Sequence, residues 1–513
     1  MAIKLSGLSS QNPWWKEGNW EKDDNDLKKI DYVLNRKKIG IKKGEVYLLR
    51  GVRRSGKTVY TKILIKDLTD KIDGKKIIYI SCDRHSLREI KNIVNEFVNR
   101  LAGEVVIFDE ITYHNNWNIL LKELAETTDL TIIATGSNPV KIKEKKERLP
   151  GRKIEENEYF LNPLSFREYI NNIVDLKDKL ENSDVRKFAN KIKKFDNFST
   201  VNPNIEEMIP YFDDLEPLFY SYILTGGFPD AIIEYFKKGR IPERTYEMMI
   251  RLFLGVLSKE NKNEEIGRQI MEKILNSMGS RLDFITIASD IGIHHNTVRE
   301  YIELLENSRI IYLLPAWDVN KKRYALRKQK KIIFQSSMIP QALHQYITRC
   351  SYDDVMDFVD KNLEIIVEHL TSSHIIQSLE KPLVKERHAF AGFYYDNKEC
   401  DLVISKDKKF YGYEIKYGKL KKEKYPFITS YITKDVIDEN TYPVSLFLAG
   451  LEKSEKSISM TQKNRPLNIF LSLNIESNFL SYDSPFKRII SPYWTFFVTY
   501  FPRTQIIIVF FVQ

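Results

Sequence analysis

The sequence predicts an α/β fold that begins with a parallel sheet covered by helices on both faces. Four short apolar runs, at 46–49, 75–84, 104–111 and 130–138, stand in the first part of the chain, and helix-compatible stretches separate them. Strands that read as almost continuous apolar runs are buried on both faces, as in parallel sheets, and such sheets bind ligands at the carboxyl ends of their strands. We therefore expect functional residues where these runs end.

Length and composition set the frame for the rest of the chain. The 513 residues are too many for one domain, so several units are expected. The three cysteines, Cys82, Cys350 and Cys400, lie far apart in the sequence, which argues against a disulfide framework or a zinc site and predicts a reducing, cytoplasmic compartment. No apolar signal region is found at the N-terminus. The net charge of +10 permits a nucleic-acid or acidic-membrane partner without requiring one.

The first apolar run leads into a loop that fits the pattern G-x-x-x-x-G-K-[ST]. The candidate nucleotide-binding residues are Gly51, Arg54, Ser55, Gly56, Lys57 and Thr58. A strand before the loop and an amphipathic pattern after it are the context in which backbone N–H groups at a helix N-terminus hold phosphate. Lys57 adds a positive charge, and Thr58 offers a hydroxyl to Mg²⁺. The plainer alternative is a loop with two glycines and surface lysines.

The third apolar run, "EVVIFDEI", ends in two adjacent carboxylates. Asp109 is the candidate Mg²⁺ residue, and Glu110 is the candidate general base for an attacking water, because hydrolysis needs a proton acceptor beside the terminal phosphate. An ordinary acidic strand end is the alternative. The run at 130–138 ends in Gly136, Ser137 and Asn138, which suits either phosphate sensing or a plain strand-to-loop turn.

Taken together, these segments resemble a known family. "LLRGVRRSGKT", "VIFDEI" followed by Trp117, "IIATGS", "LPGRKIEENEYFLNPLSFREY" and "YILTGGFP" are similar to segments of prokaryotic, largely archaeal AAA-type ATPases that carry a winged helix and a nuclease-like C-terminal domain. The resemblance covers about residues 12–450. It implies a parallel-sheet P-loop NTPase core that takes ATP and Mg²⁺, followed by a helical and winged-helix part and an α/β restriction-nuclease-like domain.

The resemblance also implies roles for single residues. Lys57 and Thr58 correspond to nucleotide and metal residues, Asp109 and Glu110 to the second motif, and Ser137 to a sensor-like position. Arg152 in "PGR" matches an arginine that acts as a finger within one chain or from a neighbouring subunit, which leaves a homo-oligomer open, or it forms a structural ion pair. The chain departs from the family at Thr112, where a glutamine is common.

The expected organisation has five parts: a P-loop ATPase core at 1–170, a helical insertion or lid at 171–255, a winged helix-turn-helix at 256–330, a nuclease-like domain at 331–450 and an extension of unknown role at 451–513. The charged, Asn-rich segment at about 170–200 has apolar residues at roughly 3.6 spacing, and we expect solvated helices there. The extension is apolar and aromatic but interrupted by Pro492, Pro502 and Arg503, so no membrane span is expected. A hairpin, a partner-binding tail and a disrupted gene end stay open for it.

A helix-turn-helix pattern occupies 281–318. We expect Thr286 to cap a short helix and Gly292 to form the tight turn. His294, His295, Asn296 and Arg299 then fall at the start of the second helix, where base edges of DNA are reached. The basic run at 319–331 favours contact with a phosphate backbone. A lid or protein-docking role is the alternative, since charge runs are usually solvated faces.

The last part of the chain carries a possible nuclease-like site made of Glu364, Asp401, Glu414 and Lys416. Asp401 and the Glu414/Lys416 pair are expected on one face of neighbouring strands, where carboxylates hold Mg²⁺ and a lysine positions water. The pattern resembles the PD-(D/E)xK nuclease fold, and a cross-strand ion pair is the alternative. The leading hypothesis is thus an ATP-hydrolysing protein that acts on or near DNA. A nucleotide-controlled scaffold with a protein partner and an ATP-regulated endonuclease remain as alternatives.

Overall fold

The computed structural model describes most of the chain, and it separates into one unit at 1–460 and a second at 461–513. The described residues are 5–16, 19–137, 157–192, 205–325, 329–380, 390–406, 409–451 and, near the C-terminus, 486–490, 495–501 and 506–512.

A five-stranded parallel sheet forms the first part of the larger unit. Its strands, in the order β2-β3-β4-β1-β5, are β1 Val46–Arg50, β2 Ile77–Ser81, β3 Val105–Asp109, β4 Thr131–Gly136 and β5 Glu158–Phe160. Helices α1 Lys57–Thr69, α2 Leu87–Leu101 and α3 Trp117–Thr127 connect the first four strands. All residues of β1, β3 and β4 are buried, as their apolar runs predict. The predicted α/β fold is therefore confirmed.

The chain before the sheet lies along strand β2, which is the edge strand of the sheet on that side. It forms short 3₁₀ turns, and two of its three tryptophans, Trp14 and Trp15, donate their indole N–H groups to the carbonyl of Ile77 at 3.0 and 2.7 Å. An exposed edge strand offers unpaired backbone groups, so this segment covers an edge that would otherwise attract other strands.

Six helices follow the first sheet: α4 Phe166–Leu176, α5 Ser183–Ala189, α6 Phe212–Thr225, α7 Pro229–Lys238, α8 Glu243–Lys259 and α9 Glu264–Asn276. Helices do form in the described part of the segment at about 170–200, but the expectation that they are solvated is wrong. Ile173, Leu176, Leu180, Val185 and Ala189 are all buried in the main hydrophobic core. The apolar residues at 3.6 spacing form a core-facing stripe, and most of the charges of α4 and α5 lie on the opposite faces, although Arg167 is buried.

Two helices joined by a turn occupy the segment in which the helix-turn-helix was predicted, with small differences in their caps. The elements are β6 Arg281–Leu282, α10 Phe284–Ile291, α11 His295–Asn307, β7 Ile311–Leu314, β8 Ala316–Asp318, β9 Arg323–Tyr324 and β10 Lys330–Phe334. Gly292 ends α10 with a φ of +75°, as the expected tight turn requires. Asp283 caps α10 instead of Thr286, which lies inside the helix, because the Asp283 carboxylate accepts from the Ile285 N–H at 2.8 Å.

The remaining elements of the larger unit build a seven-stranded mixed sheet with helices packed against it. They are α12 Met338–Thr348, α13 Tyr352–Lys361, α14 Leu363–Leu379, β11 Ala391–Asp396, β12 Lys398–Lys406, β13 Lys409–Lys416, β14 Ile428–Thr433, β15 Thr441–Pro443 and α15 Val444–Gly450. The strand order is β15-β14-β13-β12-β11-β8-β9, and β6, β10 and β7 form a separate three-stranded sheet. The chain thus leaves the small sheet after β7, contributes β8 and β9 to the large sheet, and returns through β10.

One continuous hydrophobic core joins the helices α4–α9, the helix-turn-helix and the seven-stranded sheet. A buried ion pair reinforces this connection. The Arg309 guanidinium donates to Glu380 at 2.6 Å and to the Asn162 side chain at 3.1 Å, and it lies 4.4 Å from the centre of the Phe160 ring. Arg309 therefore holds together the end of β5, the end of α11 and the end of α14.

The smaller unit contains three antiparallel strands, β16 Phe486–Ile490, β17 Thr495–Phe501 and β18 Ile506–Val512, in the order β16-β17-β18. None of the helices in the described part of the chain combines the length and apolar character that crossing a bilayer requires.

Candidate functional site

The loop between β1 and α1 has the shape that the glycine pattern predicts. A Cβ at Gly51 would lie 2.1 Å from the carbonyl oxygen of Leu161, so no larger residue fits there. Gly56 precedes α1 with a φ of +86°, a conformation that side chains with a Cβ rarely adopt. The Ser55 hydroxyl is buried and has no hydrogen-bond partner among the described residues. The loop therefore presents backbone N–H groups and an unsatisfied hydroxyl at a helix N-terminus, which suits an anion.

Lys57 lies inside this loop with only 5% of its surface exposed. Its ammonium donates to the carbonyls of Gly51 at 3.1 Å and Val52 at 3.0 Å, and it is 3.9 Å from a carboxylate oxygen of Glu110. Burial lowers the pKa of Lys57, against the opposing effect of Glu110 and Asp109. A buried ammonium held mainly by neutral carbonyls would gain from a phosphate group in the loop.

The carboxylate of Asp109 collects hydroxyl donors from both neighbouring strands and from α1. Thr58 donates to its Oδ2 at 3.1 Å and Thr135 to its Oδ1 at 2.7 Å. The Tyr79 hydroxyl donates to the same Oδ2 at 2.7 Å. Thr58 and Asp109, the two predicted metal residues, are thus adjacent, as a shared Mg²⁺ would require. Thr135 and Tyr79 escaped the sequence analysis because each stands inside an apolar run.

Glu110 follows β3 in a left-handed backbone conformation, with a φ of +53°. Its N–H donates to the Thr135 hydroxyl at 2.8 Å, which fixes the backbone turn. Its carboxylate accepts from the Ser137 N–H at 3.0 Å and from the Ser137 hydroxyl. The sensor-like position and the candidate base are therefore in direct contact. Arg152 and Asn138 lie outside the described residues.

Thr112, the position at which the family resemblance expects glutamine, is buried against the end of β4. A Cβ at Gly136 would come within 2.3 Å of the Thr112 methyl group. The Thr112 side chain therefore packs closely against Gly136.

These residues open onto a cleft of about 1010 Å³ that the first sheet shares with the following helices. Lys57, Thr58, Glu110 and Ser137 line one side. The other contributors include apolar side chains, Ile30, Tyr32, Pro229 and Ile233, and cations from both regions, Arg36, Arg53, Arg54, Arg244 and Lys259. The lining also includes the acids Asp230 and Glu234, which pair with Arg54 and Arg244. A cleft with apolar side chains and several cations among its charged groups accommodates a ligand that combines a flat ring with phosphate groups.

Lys259 at the end of α8 faces this cleft from the helical side. Its ammonium lies 5.5 Å from the centre of the Tyr113 ring. Burial and then Arg53 lower the pKa of Lys259, while Glu110 opposes them. Because Lys259 interacts with Glu110 and Arg53, the C-terminal end of α8 lies close to the ends of the strands that carry the candidate ATP-binding residues.

The helix-turn-helix presents its predicted contact residues to solvent. His294 caps α11 by accepting the Asn296 N–H at 3.3 Å, and His295 is the first residue of that helix. His294, His295, Asn296 and Arg299 are all exposed. Their arrangement at the start of a second helix is compatible with reading base edges, but α11 also carries Glu300 on its exposed surface.

Three of the four predicted nuclease-like residues form one cluster on β12 and β13. Lys416 lies 3.1 Å from Asp401 and 2.9 Å from Glu414. Burial and Asp401 raise the pKa of Glu414, and the Tyr425 hydroxyl donates to Glu414 at 2.9 Å. Glu364 lies beside Gly418, two residues beyond Lys416, where a Cβ would approach its carboxylate to 2.1 Å. The α14 acid that reaches the cluster is Glu368, one helical turn later.

Lys331 on β10 joins Glu368 to this cluster. Its ammonium lies 2.7 Å from Glu368, 2.9 Å from Glu399 and 3.2 Å from Asp401, and its side chain is 1% exposed. Burial would lower the pKa of Lys331, but the three carboxylates outweigh burial and raise it. Within the described residues, no group of three or more His, Cys, Asp or Glu side chains is disposed to hold a metal ion. The Lys331 ammonium thus forms ion pairs with Glu368, Glu399 and Asp401.

Comparison with known proteins agrees with the fold of the first region. Residues 43–170 match a family model described as an AAA domain, and residues 216–355 match a domain of unknown function. The N-terminal region is therefore of the AAA type, a class of P-loop ATPases. The five-stranded sheet and the glycine loop described above lie almost entirely within that match.

The chain is also similar to three archaeal and bacterial proteins. An uncharacterized protein of Methanocaldococcus jannaschii is 26% identical over 336 residues, which cover 62% of this chain and 67% of that protein. An uncharacterized protein of Haemophilus influenzae is 23% identical over 310 residues, 58% of this chain and 69% of that protein. A second uncharacterized Methanocaldococcus jannaschii protein is 23% identical over 322 residues, 60% of this chain and 65% of that protein.

Proposed function

We propose that this protein binds Mg·ATP in the loop between β1 and α1, hydrolyses it, and uses the nucleotide state to rearrange the helices that face the cleft. The observation that supports this most strongly is the convergence of Lys57, Thr58, Asp109 and Glu110 at adjacent strand ends, on a cleft shared by two regions. A loop that required only two glycines and surface lysines would not bury Lys57 beside two carboxylates.

Each residue has a distinct task in this proposal. The N–H groups of the loop and the Lys57 ammonium bind the phosphates, and the buried hydroxyl of Ser55 gains a partner there. Thr58 and Asp109 hold Mg²⁺, which neutralises charge on the phosphate oxygens when bound. Glu110 accepts a proton from the attacking water. Ser137 holds the Glu110 carboxylate in place, and Arg152 serves as a finger within one chain or from a second copy.

Coupling to the rest of the chain follows from the position of α8. Lys259 brings positive charge from α8 to the cleft, so a bound triphosphate attracts this end of the helix and loss of the triphosphate releases it. Helix α8 packs against α12 and α9, which share the main core with the helix-turn-helix. A shift of α8 therefore moves the segment that carries His295 and Arg299.

We further propose that this movement acts on or near DNA, through the exposed start of α11 in a winged-helix arrangement. The exposed cations of the basic run, Lys321, Lys322 and Arg323, support contact with the phosphate backbone. Lys331, at the end of the run, is buried among carboxylates and takes no part in such contact. A nucleotide-controlled scaffold that binds a protein partner is the second candidate. The ion pairs that Lys331 forms with Asp401 and Glu368 are compatible with it, because such a cluster also joins β10, α14 and β12 as a structural element.

An endonuclease is the third candidate, and it depends on Asp401, Glu414 and Lys416 acting as a PD-(D/E)xK site. In this candidate Asp401 and Glu414 would hold Mg²⁺, and Lys416 would position the attacking water. Mg²⁺-dependent nicking that disappears in Asp401→Ala would support this candidate.

The decisive experiment measures ATP binding and turnover of the whole chain, with and without duplex DNA. Lys57→Ala should lose most of the ATP affinity, and Glu110→Gln should bind ATP but hydrolyse it at least 100-fold more slowly, within the usual range for a lost general base. Lys66→Ala, an exposed lysine on the same helix, is the matched control.

The outcomes separate the candidates. Turnover stimulated by DNA supports action on DNA, whereas tight nucleotide retention with little turnover supports the scaffold. ATP affinity that is unchanged in Lys57→Ala would overturn the proposed nucleotide site itself.

A further inference from the structure

Tyr79 lies in the middle of β2, and its side chain crosses to the neighbouring strand β3. Its hydroxyl is 2.7 Å from Oδ2 of Asp109, the same oxygen that accepts from Thr58. The side chain is 4% exposed, and burial together with Asp109 raises the pKa of Tyr79 well above its usual value. The phenol donates a hydrogen bond to the carboxylate.

The backbone of Tyr79 is fixed by the N-terminal segment of the chain. The buried Asn12 side chain accepts the Tyr79 N–H at 2.6 Å and donates to the Tyr79 carbonyl at 3.0 Å. It replaces the neighbouring strand that an edge strand lacks on this side. The Trp14 ring meets the Tyr79 ring edge-on, with the centroids 6.5 Å apart.

The ring of Tyr79 is fixed by a buried ion pair. The Lys62 ammonium lies 3.7 Å from the ring centroid and 3.0 Å from a carboxylate oxygen of Asp24, and both charged side chains are 2% exposed. Cation–π contacts of this kind are strongest when the cation is removed from water. Lys62 belongs to α1, the helix that begins with Lys57 and Thr58, so the ring is tied to the loop as well as to the N-terminal segment.

We propose that Tyr79 is a positioning residue for the magnesium site, and that the N-terminal segment forms part of that site by holding Tyr79 in place. This inference rests on the proposed binding of Mg·ATP. With Thr58 and Tyr79 on Oδ2 and Thr135 on Oδ1, the Asp109 carboxylate has one orientation. Groups that orient a metal-bearing carboxylate in this way typically change metal affinity when they are removed.

The test compares Tyr79→Phe with the intact chain, because this change removes only the hydroxyl. Half-maximal Mg²⁺ for ATP turnover should rise roughly 10- to 100-fold, which is the usual cost of losing such a group. Affinity for ATP in EDTA should stay unchanged, since Lys57 and the loop do not depend on Tyr79. At saturating Mg²⁺, turnover should return toward that of the intact chain.

Tyr47→Phe is the matched control. Tyr47 is a buried tyrosine on β1 of the same sheet, and its hydroxyl bonds to the Lys42 N–H at 2.7 Å and to Glu45 at 3.0 Å. Tyr47→Phe should lower the free energy of unfolding about as much as Tyr79→Phe does, without any change in the Mg²⁺ dependence of turnover. Lys62→Met keeps the Tyr79 hydroxyl but frees its ring, so it should raise the Mg²⁺ requirement less than Tyr79→Phe does.

The possible results are distinguishable. An intact chain that hydrolyses ATP, with the same Mg²⁺ dependence in Tyr79→Phe, overturns this inference and leaves the proposed function standing. Equal shifts in Tyr79→Phe and Tyr47→Phe also overturn it, since they indicate a general loss of stability. If Tyr79→Phe fails to fold, an unchanged Mg²⁺ requirement in Lys62→Met/Asp24→Asn, which removes both charges of the buried pair, also overturns this inference. An intact chain that binds no nucleotide overturns the proposed function first.

Discussion

Replacing Lys331 with methionine should strongly destabilise the chain, by an amount that depends on pH. The substitution keeps the length of the side chain but removes the ammonium beside three carboxylates. Asp401 keeps Lys416 at 3.1 Å, and Glu399 keeps Arg281 at 3.3 Å. Glu368, whose side chain is 13% exposed, is then the one acid left without its cation.

One uncompensated buried charge corresponds to about 3–5 kcal/mol of unfolding free energy. Burial already raises the pKa of Glu368 in the intact chain, and loss of Lys331 raises it further. The folded variant therefore binds a proton at pH values at which the unfolded chain does not. Its stability deficit relative to the intact chain should shrink as the pH falls from 8 toward 5.5.

Urea unfolding at both pH values measures this difference. The double variant Lys331→Met/Glu368→Gln removes both charges and should recover much of the lost stability at pH 8. If the deficit is equal at pH 8 and 5.5 and the double variant recovers nothing, then Lys331 does not neutralise Glu368, and the account of this cluster is wrong.

Three further outcomes are expected. Arg309→Met should cost about 3–5 kcal/mol in urea unfolding because Glu380, 3% exposed, loses its cation, and adding Glu380→Gln should recover part of it. Burial lowers the pKa of His374 to about 4. Between pH 6.5 and 4, His374 is therefore protonated in the unfolded chain but neutral in the folded chain. Stability should therefore fall by about 2 kcal/mol between pH 7.5 and 5 through this residue, and His374→Gln should show less acid sensitivity in the same assay. Lys259→Ala should weaken ATP binding roughly tenfold with little effect on ADP, as measured by nucleotide titration, whereas the exposed Arg251→Ala on the same helix should leave both unchanged.

The sequence was sufficient for the features that depend on neighbouring residues in the chain. The glycine loop at 51–58 and the strand that ends in Asp109 are contiguous signals. The strands β2–β4 lie within the predicted apolar runs, and β1 extends one residue beyond its run. The turn at Gly292 is equally local, because a φ of +75° there suits glycine. These elements needed no knowledge of how distant segments meet.

The features that could not be predicted from the sequence depend on strand register and on the rotation of helices about their axes. Thr135 and Tyr79 look like strand residues until β2, β3 and β4 are aligned, since only that alignment brings their hydroxyls to Asp109. Glu364 and Glu368 are one helical turn apart in "NLEIIVEHL", so the sequence favours neither acid, and packing of α14 selects Glu368. Lys331 is one of several lysines in a basic run, and nothing local distinguishes it from the exposed ones.

The path of the chain between the two sheets has a consequence for how the protein is made. Strand β8 pairs in parallel with β11, about 75 residues further on, and β10 returns to pair with β7 and β6. During synthesis, β8 and β9 stay unpaired with the rest of the large sheet until β11 has left the ribosome. Contacts of such long sequence separation form slowly and leave apolar surface exposed in the meantime. We expect nascent chains that stop before residue 391 to depend on chaperones, and the second half of the larger unit to acquire its structure in one late step.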